Sequence, residues 1–158
     1  MQTIAFRMLG DDLMVFMSGE ASPSENEWSD YLRTLDGAAQ HARQNGSLLR
    51  FFIFVDEGAP NAKQRGSVVE ILRDVRARSA VITTSNLARH VITVFGWFGL
   101  KLRGFAPNQL SAALEYLELS PERLSDIIQL ASTLAPSVGG VSSFRDSTSP
   151  RDLARPHA

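Results

Sequence analysis

The chain has 158 residues, a formal net charge of −1 and no cysteine. The lack of cysteine excludes disulfides, thiolate metal sites and cysteine nucleophiles. Lys and Arg are mixed with Asp and Glu rather than clustered as phosphate binding requires, so we expect no nucleic-acid partner. The N-terminus has no signal-peptide pattern, and the longest apolar run, 91–100, is about half the length of a membrane span. We therefore expect one cytoplasmic domain without a transmembrane segment.

The chain opens with two β-rich segments, 3–9 and 13–18, which we predict to form a hairpin. The Gly and Asp residues between them accept the positive φ of a tight turn. Ser22 is the expected N-cap of the first helix, because Pro follows it directly and Glu stands three residues on. Buried positions recur at steps of three and four, and the helix is expected to end at Gly46 in a left-handed conformation.

The segment 48–55 is a nearly continuous apolar run, as expected for a central strand covered on both faces. A loop follows, and Asn61 is the predicted cap of the second helix. Residues 80–84 predict the next strand, and Ser85-Asn86 opens a predicted third helix.

The predicted third helix is apolar through residue 99 and leads to a short strand at 100–105. Asn108 is the expected cap of the following helix, and Ser-Pro-Glu at 120–122 opens a final one. Strand–helix–strand units at this spacing predict parallel βαβ connections.

From Pro136 onward the chain is rich in Ser, Pro, Gly and Arg and poor in apolar residues. Such a composition predicts too little apolar burial to offset the entropy of ordering the chain. We therefore predict one domain over residues 1–135 and a disordered C-terminal tail over residues 136–158.

The predicted order is β-β-α-β-α-β-α-β-α plus an extra C-terminal helix, an α/β fold with a mixed sheet of about five strands flanked by helices. Over residues 1–118 this order resembles the STAS fold, and more closely its SpoIIAA-like, anti-sigma-factor-antagonist-like branch. The resemblance is carried by Val55-Asp56, the strand 81–84 before a helix, and Arg103-Gly104-Phe105 followed by 113–117.

The resemblance implies a non-enzymatic regulatory or adaptor domain that acts by protein–protein interaction in bacterial signalling or assembly. Because SpoIIAA-like domains are grouped with lipid-transfer-like folds, a small-ligand or lipid-binding module is the alternative. That alternative predicts a cavity lined by Phe51, Phe54, Phe95 and Phe98. A self-assembling structural adaptor is a third hypothesis.

STAS antagonists present a phosphorylatable serine in an Asp-Ser-Ser-Gly-like turn that opens the second helix. This chain lacks that turn, because Glu57 follows Asp56. If the matching stretch lies further on, Ser67 is the only hydroxyl available, and it becomes the candidate phosphosite. The alternative is an ordinary helix serine that faces solvent.

A candidate ligand or anion corner lies where strand 80–84 meets the predicted third helix. Backbone N–H groups and the helix dipole favour an anion at such a corner. The residues proposed for it are Asp56, Thr84, Ser85, Asn86 and Arg89. The alternative is that Ser85 or Asn86 only caps the helix.

The predicted third helix has almost no polar face, which indicates a partner surface, a self-association face or a lipid contact. The predicted interaction surface consists of Val94, Phe95, Trp97 and Phe98. The alternative is that the C-terminal helix covers these residues within the same chain.

Catalysis is not expected. The three histidines, His41, His90 and His157, have no spacing typical of a metal site or a triad. The paired acidic residues lie in predicted turns, where solvated side chains are usual. We predict neither an enzyme nor a bound metal or cofactor.

Overall fold

The structure, a computed structural model, describes residues 1–84 and 100–148. Five strands form one sheet in the order β1-β2-β3-β4-β5. The strands are β1 Ile4–Leu9, β2 Leu13–Ser18, β3 Leu49–Val55, β4 Ala77–Ile82 and β5 Leu102–Phe105. The helices of the described ranges are α1 Glu25–Asn45, α2 Ala62–Leu72, α3 Leu110–Tyr116, α4 Arg123–Leu134 and α5 Ser142–Ser147, with a 3₁₀ helix at Ala135–Val138.

The sheet is mixed. β1 pairs with β2 as an antiparallel hairpin, and β2, β3, β4 and β5 pair in parallel. The prediction of an α/β fold with a five-stranded mixed sheet flanked by helices is confirmed, and so is the central position of β3. The element order agrees over the described residues, whereas the predicted third helix lies outside them.

Helices cover both faces of the sheet. The parallel strands β2, β3 and β4 are neighbours in chain order, so right-handed crossovers place the connecting helices α1 and α2 on the same side of the sheet. α1 and α2 pack on this first face against Met14, Phe16 and Phe51. The second face carries α3, α4, the 3₁₀ helix and α5. The domain is therefore a three-layer sandwich with a separate apolar core on each side of the sheet.

The two cores follow from the alternation of side chains along β3. Phe52 and Phe54 are fully buried in the second-face core, and Phe51 is buried in the first-face core. Successive side chains of a strand point to opposite faces. A continuous apolar run is therefore what a strand between two helical layers requires.

The prediction of a disordered tail is wrong for residues 136–148. Val138, Val141 and Phe144 are buried in the second-face core. The Phe144 ring meets Phe54 edge-on, with centroids 5.2 Å apart. Three apolar residues spaced by three are enough to dock this segment on the second face, although the segment as a whole is polar. Residues 149–158 lie outside the described residues.

α1 begins at a different serine from the one predicted. Ser24, not Ser22, is the N-cap, and Ser24 and Glu27 form a capping box. Both serines have Glu three residues on, so the local pattern fits either one. The choice follows from Thr3, whose backbone N and Oγ1 donate to the Glu27 carboxylate at 2.7 and 2.6 Å. Glu27 thereby joins the start of β1 to the start of α1.

Replacing Glu27 with Gln is expected to weaken the fold at neutral pH and much less in acid. Burial raises the pKa of Glu27, but hydrogen bonds from Thr3 and Ser24 outweigh burial and lower it to about 2. The stabilisation is therefore complete above the ordinary Glu pKa of about 4.5 and is lost as the pH falls towards 2. Because the site is partly solvated, we expect about 1 kcal/mol at pH 7.

Urea unfolding at pH 7 and at pH 3 measures this effect, with Glu25→Gln, an exposed residue of the same turn, as the control. The difference between wild type and Glu27→Gln should be smaller at pH 3 than at pH 7. An equal difference at both pH values would contradict the assigned role of the carboxylate.

The other predicted boundaries are partly confirmed. Asn61 caps α2 in a capping box with Gln64, and Gly46 ends α1 with φ of 61°. The prediction of Asn108 as a cap is wrong, because α3 begins after Gln109, whose side-chain oxygen accepts from the Ala106 N–H at 2.9 Å. β4 also begins three residues before the predicted strand.

Candidate binding groove

An apolar groove of about 190 Å³ lies on the first face of the sheet. Its floor is formed by alternate residues of β3 and β4 and by residues 100–102. α2 contributes Val68 and Leu72 to its wall, and the loop after β3 forms its rim at the carboxyl end of the strands. The remaining lining side chains near that rim are aromatic, namely Phe16, Trp28 and Tyr31.

The side chains that β4 presents to the groove are small. β3 presents Phe51, Ile53 and Val55, whereas β4 presents Ala77, Ser79 and Val81. β4 is paired with β5, where Gly104 stands opposite Val81. Helices packed over a sheet fill such a floor only where side chains are long enough to interdigitate. The floor over β4 is therefore shallow among the residues that the structure describes, which exclude the β4–β5 connection 85–99.

The rim of the groove is formed by the loop 56–60, which close backbone contacts hold in place. The Gly58 N–H donates to the Gly19 carbonyl at 2.9 Å. The Gly58 carbonyl accepts from Ser18 Oγ at 3.3 Å. A Cβ atom at Gly58 would stand 2.3 Å from the Ala21 carbonyl oxygen, so only glycine fits here. The rim thus has a defined position relative to the turn that follows β2.

The aromatic end of the groove is formed by rings that pack edge to face. Tyr31 meets Phe16 and Phe6 edge-on, with centroids 5.0 and 5.4 Å apart. The Trp28 Nε1–H donates to the Gln64 carbonyl at 3.2 Å, which ties α1 to α2. Burial raises the pKa of Tyr31, so this residue is neutral at physiological pH. Charged groups lining the groove lie near its two ends, with the exposed Glu57 at the rim and the exposed Lys101 before β5.

The side chain of Asp56 is engaged in a structural contact. Its carboxylate oxygens accept from the backbone N–H groups of Ser142 and Ser143 at 2.9 and 3.2 Å. These are the first two residues of α5, on the opposite side of the sheet from the groove. Thr84, the other described residue of the predicted anion corner, is exposed. Ser85, Asn86 and Arg89 lie outside the described residues.

Ser67 lies in the middle of α2, six residues into the helix, and its hydroxyl donates to the Lys63 carbonyl at 3.2 Å. It does not occupy a turn that opens a helix, where the phosphorylated serine of STAS antagonists is expected. Phosphorylation of Ser67 remains a prediction.

The cavity predicted for the ligand-binding alternative is partly wrong. Phe51 lines the groove, but Phe54 lies in the core on the other face. Their separation of three residues is odd, which places them on opposite faces of a strand. Phe95 and Phe98, together with Val94 and Trp97 of the predicted interaction surface, lie outside the described residues.

The sequence reading missed the groove itself. The alternation of Ala77, Ser79 and Val81 indicates the floor of the groove. The predicted strand began at residue 80, three residues too late to include this alternation. Within residues 1–84 and 100–148, no three His, Asp or Glu side chains are grouped so as to hold a metal ion. In the same ranges, no helix combines the length and the apolar character needed to cross a membrane.

The fold and the groove define the class of protein as an α/β sandwich domain with an apolar groove on one face of its sheet. The chain matches no protein-family model, no curated protein and no solved structure. The resemblance to the STAS superfamily accordingly stays a prediction from element order and the residues that carry it.

Proposed function

We propose that this chain is a non-enzymatic regulatory or adaptor domain that binds a partner protein through the apolar groove. The observation that supports the proposal is the groove itself, an apolar depression with aromatic residues at one end and a rigid rim. The STAS-like order of elements is the reason to expect a role in bacterial signalling or assembly.

The size of the groove favours an apolar side chain over a drug-sized ligand. Its volume of about 190 Å³ lies above the roughly 150 Å³ of an engineered cavity that binds benzene. It lies below the ~300–1,000 Å³ typical of small-molecule pockets. One or two large apolar groups therefore fill it, as the anchor residues of a protein interface fill pockets on their partner.

The shape of the groove favours a helix as the partner element. From Ala77 to Val81 the floor extends about 13 Å, the length of about 2.5 helical turns. An amphipathic helix places apolar anchors at three- and four-residue steps into such a groove. Glu57 and Lys101 lie near the two ends, so a partner with a basic group at the rim and an acidic group at the other end is complementary.

Replacing Ser79 with Leu is expected to fill the groove and abolish partner binding without loss of stability. The added apolar atoms extend into the space that the described residues leave over the floor, so we expect a change in the free energy of unfolding between zero and a gain of about 1 kcal/mol. Urea unfolding measures this change. Ser29→Leu, on the exposed surface of α1, is the matched control.

The direction of the stability change tests whether the groove is available. If Ser79→Leu destabilises the domain by about 1–3 kcal/mol, the cost of overpacking, another part of the chain already fills the space. The groove would then be core, and the proposal of a partner bound there would be overturned.

Partner capture then tests the function. Wild type, Ser79→Leu and the double variant Trp97→Ser/Phe98→Ser are used as baits with lysate of the source organism. Loss of one specific protein with Ser79→Leu, but not with Ser29→Leu, supports docking in the groove. If only the double variant loses the captured protein, the predicted interaction surface is favoured over the groove. If neither variant loses it, both surfaces are contradicted.

A small apolar ligand, including a lipid chain, is the second candidate. The observation that favours it is the aromatic end of the groove, which Phe16, Trp28 and Tyr31 line. A rise in melting temperature with fatty acids, lost in Ser79→Leu, would favour this function, because a ligand of the native state stabilises it by mass action. The third hypothesis, self-assembly, predicts a molecular mass that increases with protein concentration.

A further inference from the structure

The C-terminal residues 139–148 fold back onto the second face of the sheet. Gly139 and Gly140 have φ of 76° and 86°, the left-handed region that favours glycine. This reversal directs Val141 and Phe144 into the core beside Phe54. The segment therefore adds to the domain as a separate short unit after the 3₁₀ helix.

One side chain connects this segment with the groove on the opposite face. Asp56 follows β3 directly, and its carboxylate accepts from the first two backbone N–H groups of α5. A negative charge at a helix N-terminus is stabilising, and hydrogen bonds to a carboxylate are among the stronger ones in proteins. The residues after Asp56 form the rim of the groove. Asp56 thus joins the position of α5 to the position of the rim.

We propose that residues 139–148 act as a C-terminal latch that positions the groove rim through Asp56. With α5 docked, Asp56 is fixed and the rim keeps its shape. With α5 undocked, the carboxylate loses both donors, and residues 56–60 retain the contacts of Asp56 and Gly58 with residues 18–21 but open more often. All the contacts that define the latch lie within the described residues. Its consequence, control of partner binding, rests on the function proposed above.

The latch contains a residue that weakens its own docking. Ser143 is fully buried, and its Oγ has no hydrogen-bond partner in the part of the chain that the structure describes. A buried hydroxyl without a partner carries a desolvation cost that disappears when water reaches it. Undocking of α5 relieves this cost. Ser143 therefore shifts the latch towards release, while Asp56 and Phe144 hold it closed.

Hydrogen–deuterium exchange on the full chain, followed in peptides that cover 56–60 and 141–148, tests the latch. Asp56→Asn removes the charge and leaves one side-chain oxygen to accept. We expect about tenfold faster exchange in both peptides. Asp146→Asn, the same change at an exposed carboxylate of α5, is the control and should leave both peptides unchanged.

Ser143→Ala provides the opposite test, since it removes the unpartnered hydroxyl and keeps the fold. We expect roughly fivefold slower exchange in 141–148 and slower exchange in 56–60. If Asp56→Asn unfolds the chain, this variant alone decides the question. Changes in 141–148 without changes in 56–60, or no change in either peptide, would overturn the latch.

The outcome separates the latch from the proposed function, because exchange requires no partner. Coupled exchange with no partner captured by any bait would leave the latch valid and the groove function wrong. A partner bound equally by wild type, Asp56→Asn and Ser143→Ala would overturn control of the groove by the latch. Affinity that rises with Ser143→Ala and falls with Asp56→Asn would support both.

Discussion

Gly58→Ala is expected to destabilise the domain by about 3 kcal/mol, at the upper end of overpacking costs. The added Cβ would lie 2.3 Å from the Ala21 carbonyl oxygen and 2.6 Å from that of Gly19. Both atoms belong to the backbone, so neither can move aside by a change of rotamer. The loop must shift instead, which breaks the hydrogen bond between the Gly58 N–H and Gly19.

Urea unfolding measures the loss, and a second glycine provides the control. Gly37 lies within α1, and a Cβ atom there meets nothing within 4 Å. Gly37→Ala should therefore stabilise the domain by about 0.5–1 kcal/mol, the difference in helix propensity. Opposite effects of one chemical change at two positions would show that the rim loop is closely packed. Wild-type stability of Gly58→Ala would contradict this packing.

Phe144→Ala is expected to cost about 3 kcal/mol of unfolding free energy, the ordinary cost of truncating a buried phenylalanine. The ring lies in the second-face core, where it contacts Phe54 edge-on. A residue in a disordered tail would change stability by less than about 0.5 kcal/mol. Urea unfolding distinguishes the two cases directly.

Asp146→Ala is the matched control, because Asp146 lies in the same helix and is exposed. It should leave the midpoint of unfolding nearly unchanged. If Phe144→Ala behaves like Asp146→Ala, residues 139–148 do not belong to the core, and the latch would be contradicted together with the packing.

The two capping serines show why a correct local pattern can lead to the wrong residue. Ser22 and Ser24 each stand three residues before a glutamate, and propensity does not separate them. The decision comes from Thr3, which lies 24 residues before Glu27 in the chain and beside it in the fold. A contact between residues this far apart in the chain cannot be predicted from the local sequence around either serine.

Asp56 illustrates the same limit for a site residue. Its place at the carboxyl end of the central strand made it a candidate ligand residue, because ligands of α/β sheets collect there. The structure uses its carboxylate to cap a helix that begins 86 residues later. The prediction of a disordered tail was wrong for the same reason. It relied on the average composition of the segment, which does not show that α5 packs on the sheet.

The sequence by itself determined the elements whose signals are local. The hairpin, the stripe of α1, the doubly buried β3 and the α/β fold class follow from apolar periodicities of two and 3.6 residues, which depend only on neighbours in the chain. Only the tertiary structure decided which serine caps α1, what Asp56 binds, where Phe144 packs and where the groove opens. Each of these depends on the distance between residues far apart in sequence, and packing of the two helical layers on the sheet sets that distance.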